Sequence, residues 1–90
     1  MKELRALVSG TVQMVMYRSF VNECAQELDL SGFVRNLSTG DVEVVVQGDE
    51  VTIEKFLARI RVGPPLARVV KVETEWRESQ NAFDSFRVEY

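Results

Sequence analysis

Histidine is absent from this 90-residue chain, and cysteine occurs once, as Cys24. Without histidine there is no Ser-His-Asp triad, no Cys-His pair, no phosphohistidine chemistry and no ordinary base near neutral pH. One cysteine permits neither an internal disulfide nor a zinc cluster, and it fits a reducing cytoplasm. A long apolar run is also missing. Nothing spans a membrane, and the segment Met1–Arg5 lacks the apolar core of a signal peptide, so a cytoplasmic protein with no membrane partner is expected. Basic blocks are absent too. Lysine and arginine number 11 against 14 acidic residues, for a formal net charge of −3, which argues against nucleic acid as a partner. If the chain is an enzyme, these absences restrict it to chemistry on a substrate that is already activated.

What remains is an ordinary globular composition, 46% hydrophobic and 28% charged. The length suits one domain, residues 1–90, and no repeat, linker or low-complexity segment interrupts it. A chain of this size buries roughly 60–65% of its unfolded surface, so its core is modest and any ligand is small and held at an edge or loop. A monomer is expected.

Periodicity supplies the elements. Leu4, Ala6, Val8, Gly10 and Val12 alternate with Arg5, Ser9 and Thr11, predicting a central strand over about 3–12. Phe20, Val21, Cys24, Ala25 and Leu28 form the apolar stripe of a helix over about 19–30, with Gly32 as its expected C-terminal cap and Cys24 as a core residue. Residues 32–37 and 41–47 read as a hairpin joined by Ser38-Thr39-Gly40, with Val42, Val44 and Val46 alternating against Glu43 and Gln47. Asp49 caps a second helix with Glu50 in its first turn. Ile53, Phe56, Leu57 and Ile60 form its stripe, Arg59 and Arg61 its last turn, and Gly63-Pro64-Pro65 its stop. A strand over about 67–76 alternates Val70, Val72, Thr74 and Trp76. A turn at Ser79-Gln80-Asn81 then leads to a short strand with Phe86, Val88 and Tyr90.

The order β-α-β-β-α-β plus a short C-terminal strand predicts an α+β sandwich. Its fold is the ferredoxin-like split β-α-β, an antiparallel sheet with two helices on one face. In that topology the first and second strands run parallel with the third between them, and their C-terminal ends share one sheet edge about 10 Å apart. The first of them passes through a loop, residues 13–18, into a helix. A strand–loop–helix junction aims backbone N–H groups and a helix N-terminus at one spot, a general arrangement for anions such as phosphate. Arg18 adds a planar fork of donors able to grip two phosphate oxygens. Asn36 leaves the second strand at the same edge, so the two side chains are expected to converge. Arg35 reads as surface charge, and Tyr17 and Trp76 as packing residues.

Two of these stretches resemble the signatures of the acylphosphatase family. Val8-x-Gly10-x-Val12-Gln13-x-Val15-x-Tyr17-Arg18 is similar to the first, and Gly32-Phe33-Val34-Arg35-Asn36 to the second. Gly40-x-Val42-Glu43 and Gly63-Pro64-Pro65-x-Ala67 follow in family order, so the resemblance covers essentially the whole chain. It implies hydrolysis of small acyl phosphates to a carboxylate and inorganic phosphate, with no metal and no cofactor. It makes Arg18 the phosphate-binding arginine, Asn36 the residue that positions water, and the backbone amides of Gln13, Met14, Val15, Met16 and Tyr17 the cradle. One position departs from the pattern: the family usually has glycine where this chain has Met14. If that position needs a positive φ, methionine costs roughly 1 kcal/mol or more in strain or in a reshaped cradle.

That departure motivates the alternative function, a phosphate-binding or interaction module of the same family with weak turnover. The pair Met14 and Met16 has two readings, an apolar lip over the acyl group or a merely exposed pair. An RNA-recognition domain shares the topology, but it requires exposed aromatics on the central strands and a basic surface. The third strand offers valines and a glutamate instead. An ACT-like regulatory domain has no motif behind it.

Overall fold

The computed structural model describes residues 1–79 and 81–90. The expected turn at Ser79-Gln80-Asn81 therefore falls in part outside the described residues, at Gln80. The elements follow the predicted order: β1 (Lys2–Thr11), α1 (Tyr17–Glu27), β2 (Ser31–Asn36), β3 (Val42–Gly48), α2 (Glu50–Val62), β4 (Arg68–Glu78) and β5 (Phe86–Glu89). They form one sheet in the order β4-β1-β3-β2-β5. Strand β1 is antiparallel to β3, and β3 to β2, so β1 and β2 run parallel with β3 between them as predicted. Strand β5 pairs parallel with β2, which makes the complete sheet mixed.

The core is the layer between the sheet and the two helices. Leu4, Ala6 and Val8 of β1, Val34 of β2 and Val42, Val44 and Val46 of β3 pack against Val21, Cys24 and Ala25 of α1 and Ile53, Phe56 and Ile60 of α2. Cys24 is fully buried among them as a free thiol. Both helical stripes are thus where the 3.6-residue period put them.

Three local expectations are corrected. Gly32 does not cap α1. The helix ends at Glu27, and Asp29 takes the left-handed conformation, φ 58. Leu30 N–H then donates to the Ala25 carbonyl (2.9 Å) and Asp29 N–H to that of Gln26 (3.2 Å), a Schellman closure built without glycine. Gly32 instead sits in β2 at φ 141, where a Cβ would lie 1.9 Å from the Val45 carbonyl oxygen. Its role is close strand approach.

The alternation expected in β4 breaks at Val70. A register shift opposite Ser9/Gly10 places a bulge there, so Val69 and Val72 both pack on the core while Val70 is exposed. An extra residue in one strand reverses the phase of every side chain beyond it.

The polar side of β3 is also buried. Glu43 and Gln47 are nearly as inaccessible as the valines between them. The connection from β4 to β5 runs from one sheet edge to the other over this face. Gln47 holds it, accepting from Phe83 N–H (2.9 Å) and donating to the Asn81 carbonyl (2.6 Å) and the Glu3 carboxylate (2.8 Å). Arg35, read as surface charge, is half-exposed on the same face and donates to Glu43 (2.6 Å). Among the described residues, no helix is long and apolar enough to cross a membrane.

Candidate active site

The loop from β1 into α1 has an unusual backbone. Met14 and Met16 both have positive φ, 62 and 63, while Val15 between them does not. Alternation of sign along consecutive residues turns successive N–H groups toward one concave side, the geometry of an anion-binding nest. The conditional cost at Met14 is therefore real, since its conformation is the one glycine enters freely. A second strained methionine, Met16, escaped sequence reasoning because the expected departure concerned position 14 alone.

The two helices begin differently. Asp49 caps α2, its carboxylate accepting from Thr52 N–H (3.0 Å), and Glu50 lies in the first turn. Helix α1 has no side-chain cap and no acidic residue in its first turn. Its first backbone hydrogen bond is Phe20 N–H to the Met16 carbonyl, 3.1 Å. The N–H groups of Tyr17, Arg18 and Ser19 precede that ladder and carry the positive end of the helix. What α2 satisfies internally, α1 leaves open to an anion.

The loop is held from two sides. The Gln13 side chain donates to the Leu37 and Asp41 carbonyls (2.8 and 2.9 Å), tying the cradle to the β2–β3 turn just beyond Asn36. On the other side, Tyr17 is buried, and its hydroxyl donates to the Ile60 carbonyl (2.7 Å). That carbonyl belongs to the last turn of α2, four residues before Pro64, which has no N–H to give it. Burial pushes the Tyr17 phenol far above its ordinary range, so it remains a neutral donor. Tyr17 is the packing residue expected from sequence. The clamp made by the Gln13 side chain went unseen there, because a glutamine carries no signal of its distant partners.

Arg18 and Asn36 line one cavity of about 90 Å³ together with Val12, Met14, Met16 and Ser19, and it is closed on one side by Val88 and Tyr90. The convergence expected from strand topology is present. Arg18 is held by β5: Nη1 donates to the Glu89 carbonyl (2.9 Å), and the guanidinium carbon lies 4.7 Å from the centre of the Tyr90 ring. Anchoring one nitrogen orients the fork without consuming its remaining donors. The Asn36 Oδ1 is buried with no hydrogen-bond partner, the sole such side-chain atom among the described residues. Leaving a buried acceptor unpaired costs about 1–3 kcal/mol. No group of three or more metal-ligating side chains occurs among the described residues.

A two-layer α+β sandwich with a strand–loop–helix anion cradle, one arginine and one carboxamide defines a class, that of small phosphate-handling domains. Known proteins narrow it. A family model described as acylphosphatase matches residues 4–88. An acylphosphatase of Archaeoglobus fulgidus is 44% identical over 87 residues, covering 97% of each chain. One of Thermus thermophilus is 50% identical over 78 residues, 87% of this chain and 89% of that one. The crystal structure of acylphosphatase from Bacillus subtilis superposes with a TM-score of 0.97 at 30% identity, covering 100% of both chains. The chain belongs to the acylphosphatase family, whose members are enzymes acting on small acyl phosphates.

Proposed function

We propose that this chain, a single-domain cytoplasmic monomer, hydrolyses the carboxyl–phosphate bond of small acyl phosphates without a metal, through Arg18, Asn36 and the backbone of residues 13–17. The observation that carries the reading is the convergence of Arg18, Asn36 and the positive-φ loop on one cavity. The Asn36 carboxamide holds the attacking water by a hydrogen bond and aligns its lone pair with phosphorus. The amides of the loop and of the first helical turn, with the Arg18 fork, hold the three phosphoryl oxygens and balance their charge. Water attacks phosphorus in line, the bond from phosphorus to the acyl oxygen breaks, and the carboxylate leaves with that electron pair. The water's second proton passes to a phosphoryl oxygen, so the products are a carboxylate and dihydrogen phosphate, with charge conserved.

A carboxylate needs no general acid to leave, and the mixed anhydride is already activated, so the catalyst has only to position and to stabilise charge. A chain without histidine is equipped for that. The module alternative rests on Met14 alone, and relatives named acylphosphatase that match nearly the whole chain favour the enzyme.

Turnover of acetyl phosphate, measured beside phosphate binding by calorimetry, tests the division of labour. Arg18→Ala is expected to weaken phosphate binding by about tenfold or more, the loss of charge-assisted hydrogen bonds. Asn36→Ala is expected to lower kcat by about 100-fold with phosphate affinity nearly unchanged. Equal loss of phosphate affinity in both variants would contradict the assignment.

A further inference from the structure

The chain has three methionines, and two of them border the phosphate cavity. Met14 is 99% exposed and Met16 72%, and both line that cavity with Arg18 and Asn36. Both hold the left-handed backbone, φ 62 and 63, a conformation that glycine enters freely and other residues at a cost. Neither is buried in return. Residues kept under such strain without packing of their own point to a use for their side chains at the site they border. We infer that Met14 and Met16 form a reversible oxidation site: a peroxide converts their thioethers to sulfoxides, whose oxygens enter the anion cavity and weaken its hold on phosphate. The inference rests on the reading of this cavity as the phosphate site and adds a control over it.

The step needs only hydrogen peroxide and an exposed thioether. A sulfur lone pair attacks one peroxide oxygen and the O–O bond breaks. The departing hydroxide takes the proton left on the transferred oxygen and leaves as water, so sulfur is oxidised and peroxide reduced. Exposure decides where this happens. Cys24, the one thiol, is fully buried in the core, and burial raises its pKa, which leaves little of the reactive thiolate. Met1 is exposed as well, but it precedes β1, at the end of that strand opposite the cavity. A thioether is a weak acceptor and leaves the cavity's donors to an anion. These are the N–H groups of Tyr17, Arg18 and Ser19, which precede the α1 ladder, and the free nitrogens of the Arg18 fork. A sulfoxide is polar, and its oxygen accepts where the thioether did not. The three rotatable bonds of methionine let that oxygen swing inward. In a cavity of about 90 Å³ one tethered acceptor takes a share of the space and of the donors that phosphate needs, at the high effective concentration of an intramolecular ligand.

The test treats the whole chain with hydrogen peroxide until peptide mass spectrometry finds Met14 and Met16 converted and Cys24 intact. Binding of inorganic phosphate is then measured by calorimetry and acetyl phosphate turnover in steady state. The phosphate Kd and the acetyl phosphate KM are expected to rise about fivefold, the worth of one hydrogen bond. Tm and kcat should stay nearly unchanged, because saturating substrate displaces the sulfoxide. The two methionine sulfoxide reductases, one for each epimer, should restore both raised values. Met14→Leu/Met16→Leu keeps the apolar bulk without sulfur, and its phosphate Kd after peroxide is compared with its own Kd before. Those two values are expected to agree while Met1 in the same sample is oxidised. An unchanged phosphate Kd in the oxidised protein, an equal loss in the double variant, or a loss that the reductases leave in place overturns the oxidation site and spares the phosphate reading. Absence of phosphate binding before any oxidation overturns that reading and the inference with it.

Discussion

Met14 carries its backbone at φ 62 with a side chain almost wholly in solvent, so its strain is not repaid by packing of its own. Glycine takes the same conformation without the Cβ penalty. Met14→Gly is expected to leave turnover equal or higher and to raise stability by up to about 1 kcal/mol, read as the shift in urea midpoint at constant slope. A clear fall in turnover would mean that the loop has adapted to methionine. Asn36 presents the opposite case, a buried polar atom without a partner. Asn36→Ala removes the orphaned acceptor and is expected to stabilise the fold by about 1 kcal/mol. For a domain of this size that is a rise in Tm of roughly 4–8 °C, measured beside the turnover of the same variant. Stability and turnover moving in opposite directions would mark Asn36 as a residue held for function.

Between elements, one hydroxyl joins the start of α1 to the end of α2. Tyr17 supplies the hydrogen bond that Pro64 cannot give the Ile60 carbonyl, and the same residue is the last of the proposed cradle. Tyr17→Phe keeps the ring in the core and leaves that carbonyl unpaired, so a loss of about 1–3 kcal/mol is expected. Part of it should appear as weaker phosphate binding if the 13–17 loop binds phosphate as proposed, because Tyr17 anchors that loop to the end of α2. Urea unfolding and phosphate calorimetry on the one variant measure both effects. Strand β5 acts in a comparable way from the far side of the cavity, where the Glu89 carbonyl and the Tyr90 ring hold Arg18. Four residues of strand thereby orient a side chain that lies 71 positions earlier in the chain.

Across the whole sheet, the face opposite the helices carries a ladder of charge. Arg5 and Arg35 both donate to Glu43 (2.7 and 2.6 Å), and Arg77 donates to Glu3, joining β2, β3, β1 and β4. Burial by itself raises the Glu43 carboxyl, but the hydrogen bonds and charges of Arg5 and Arg35 outweigh it and hold that group below its ordinary value. Glu3 is likewise raised by burial and held down overall by Gln47, Arg77 and Ser79. A carboxyl whose folded pKa is depressed binds its proton more readily in the unfolded chain, so stability rises with pH across that window. The contribution is complete above the ordinary carboxylate value of 4.5 and is lost as pH falls through the lower folded value. Urea midpoints from neutral pH downward should fall in that acidic window, and Glu43→Gln should flatten the decline. A curve for Glu43→Gln parallel to that of the unsubstituted protein would show that the ladder does not carry the effect.

Local patterning was enough for the elements, their order and both faces of the helices, because apolar period and capping act over a few residues. Asp49, Gly63-Pro64 and the valines of β3 are legible for that reason. The meeting of Arg18 with Asn36 was legible as well, since parallel strands flanking a third must end at one edge. Other features depend on neighbours far along the chain. The bulge that turns Val70 outward, the reason Gly32 must be glycine, and the burial of Glu43 and Gln47 each answer to atoms that only strand pairing brings close. The same holds for the Gln13 clamp, the Tyr17 bond to Ile60 and the grip of β5 on Arg18. Sequence alone determined which groups could bind a phosphate, because chemistry resides in residue types and short spacings. Folding in three dimensions decided how those groups are aimed and what shares their cavity, because orientation is set by contacts between segments that the chain order keeps apart.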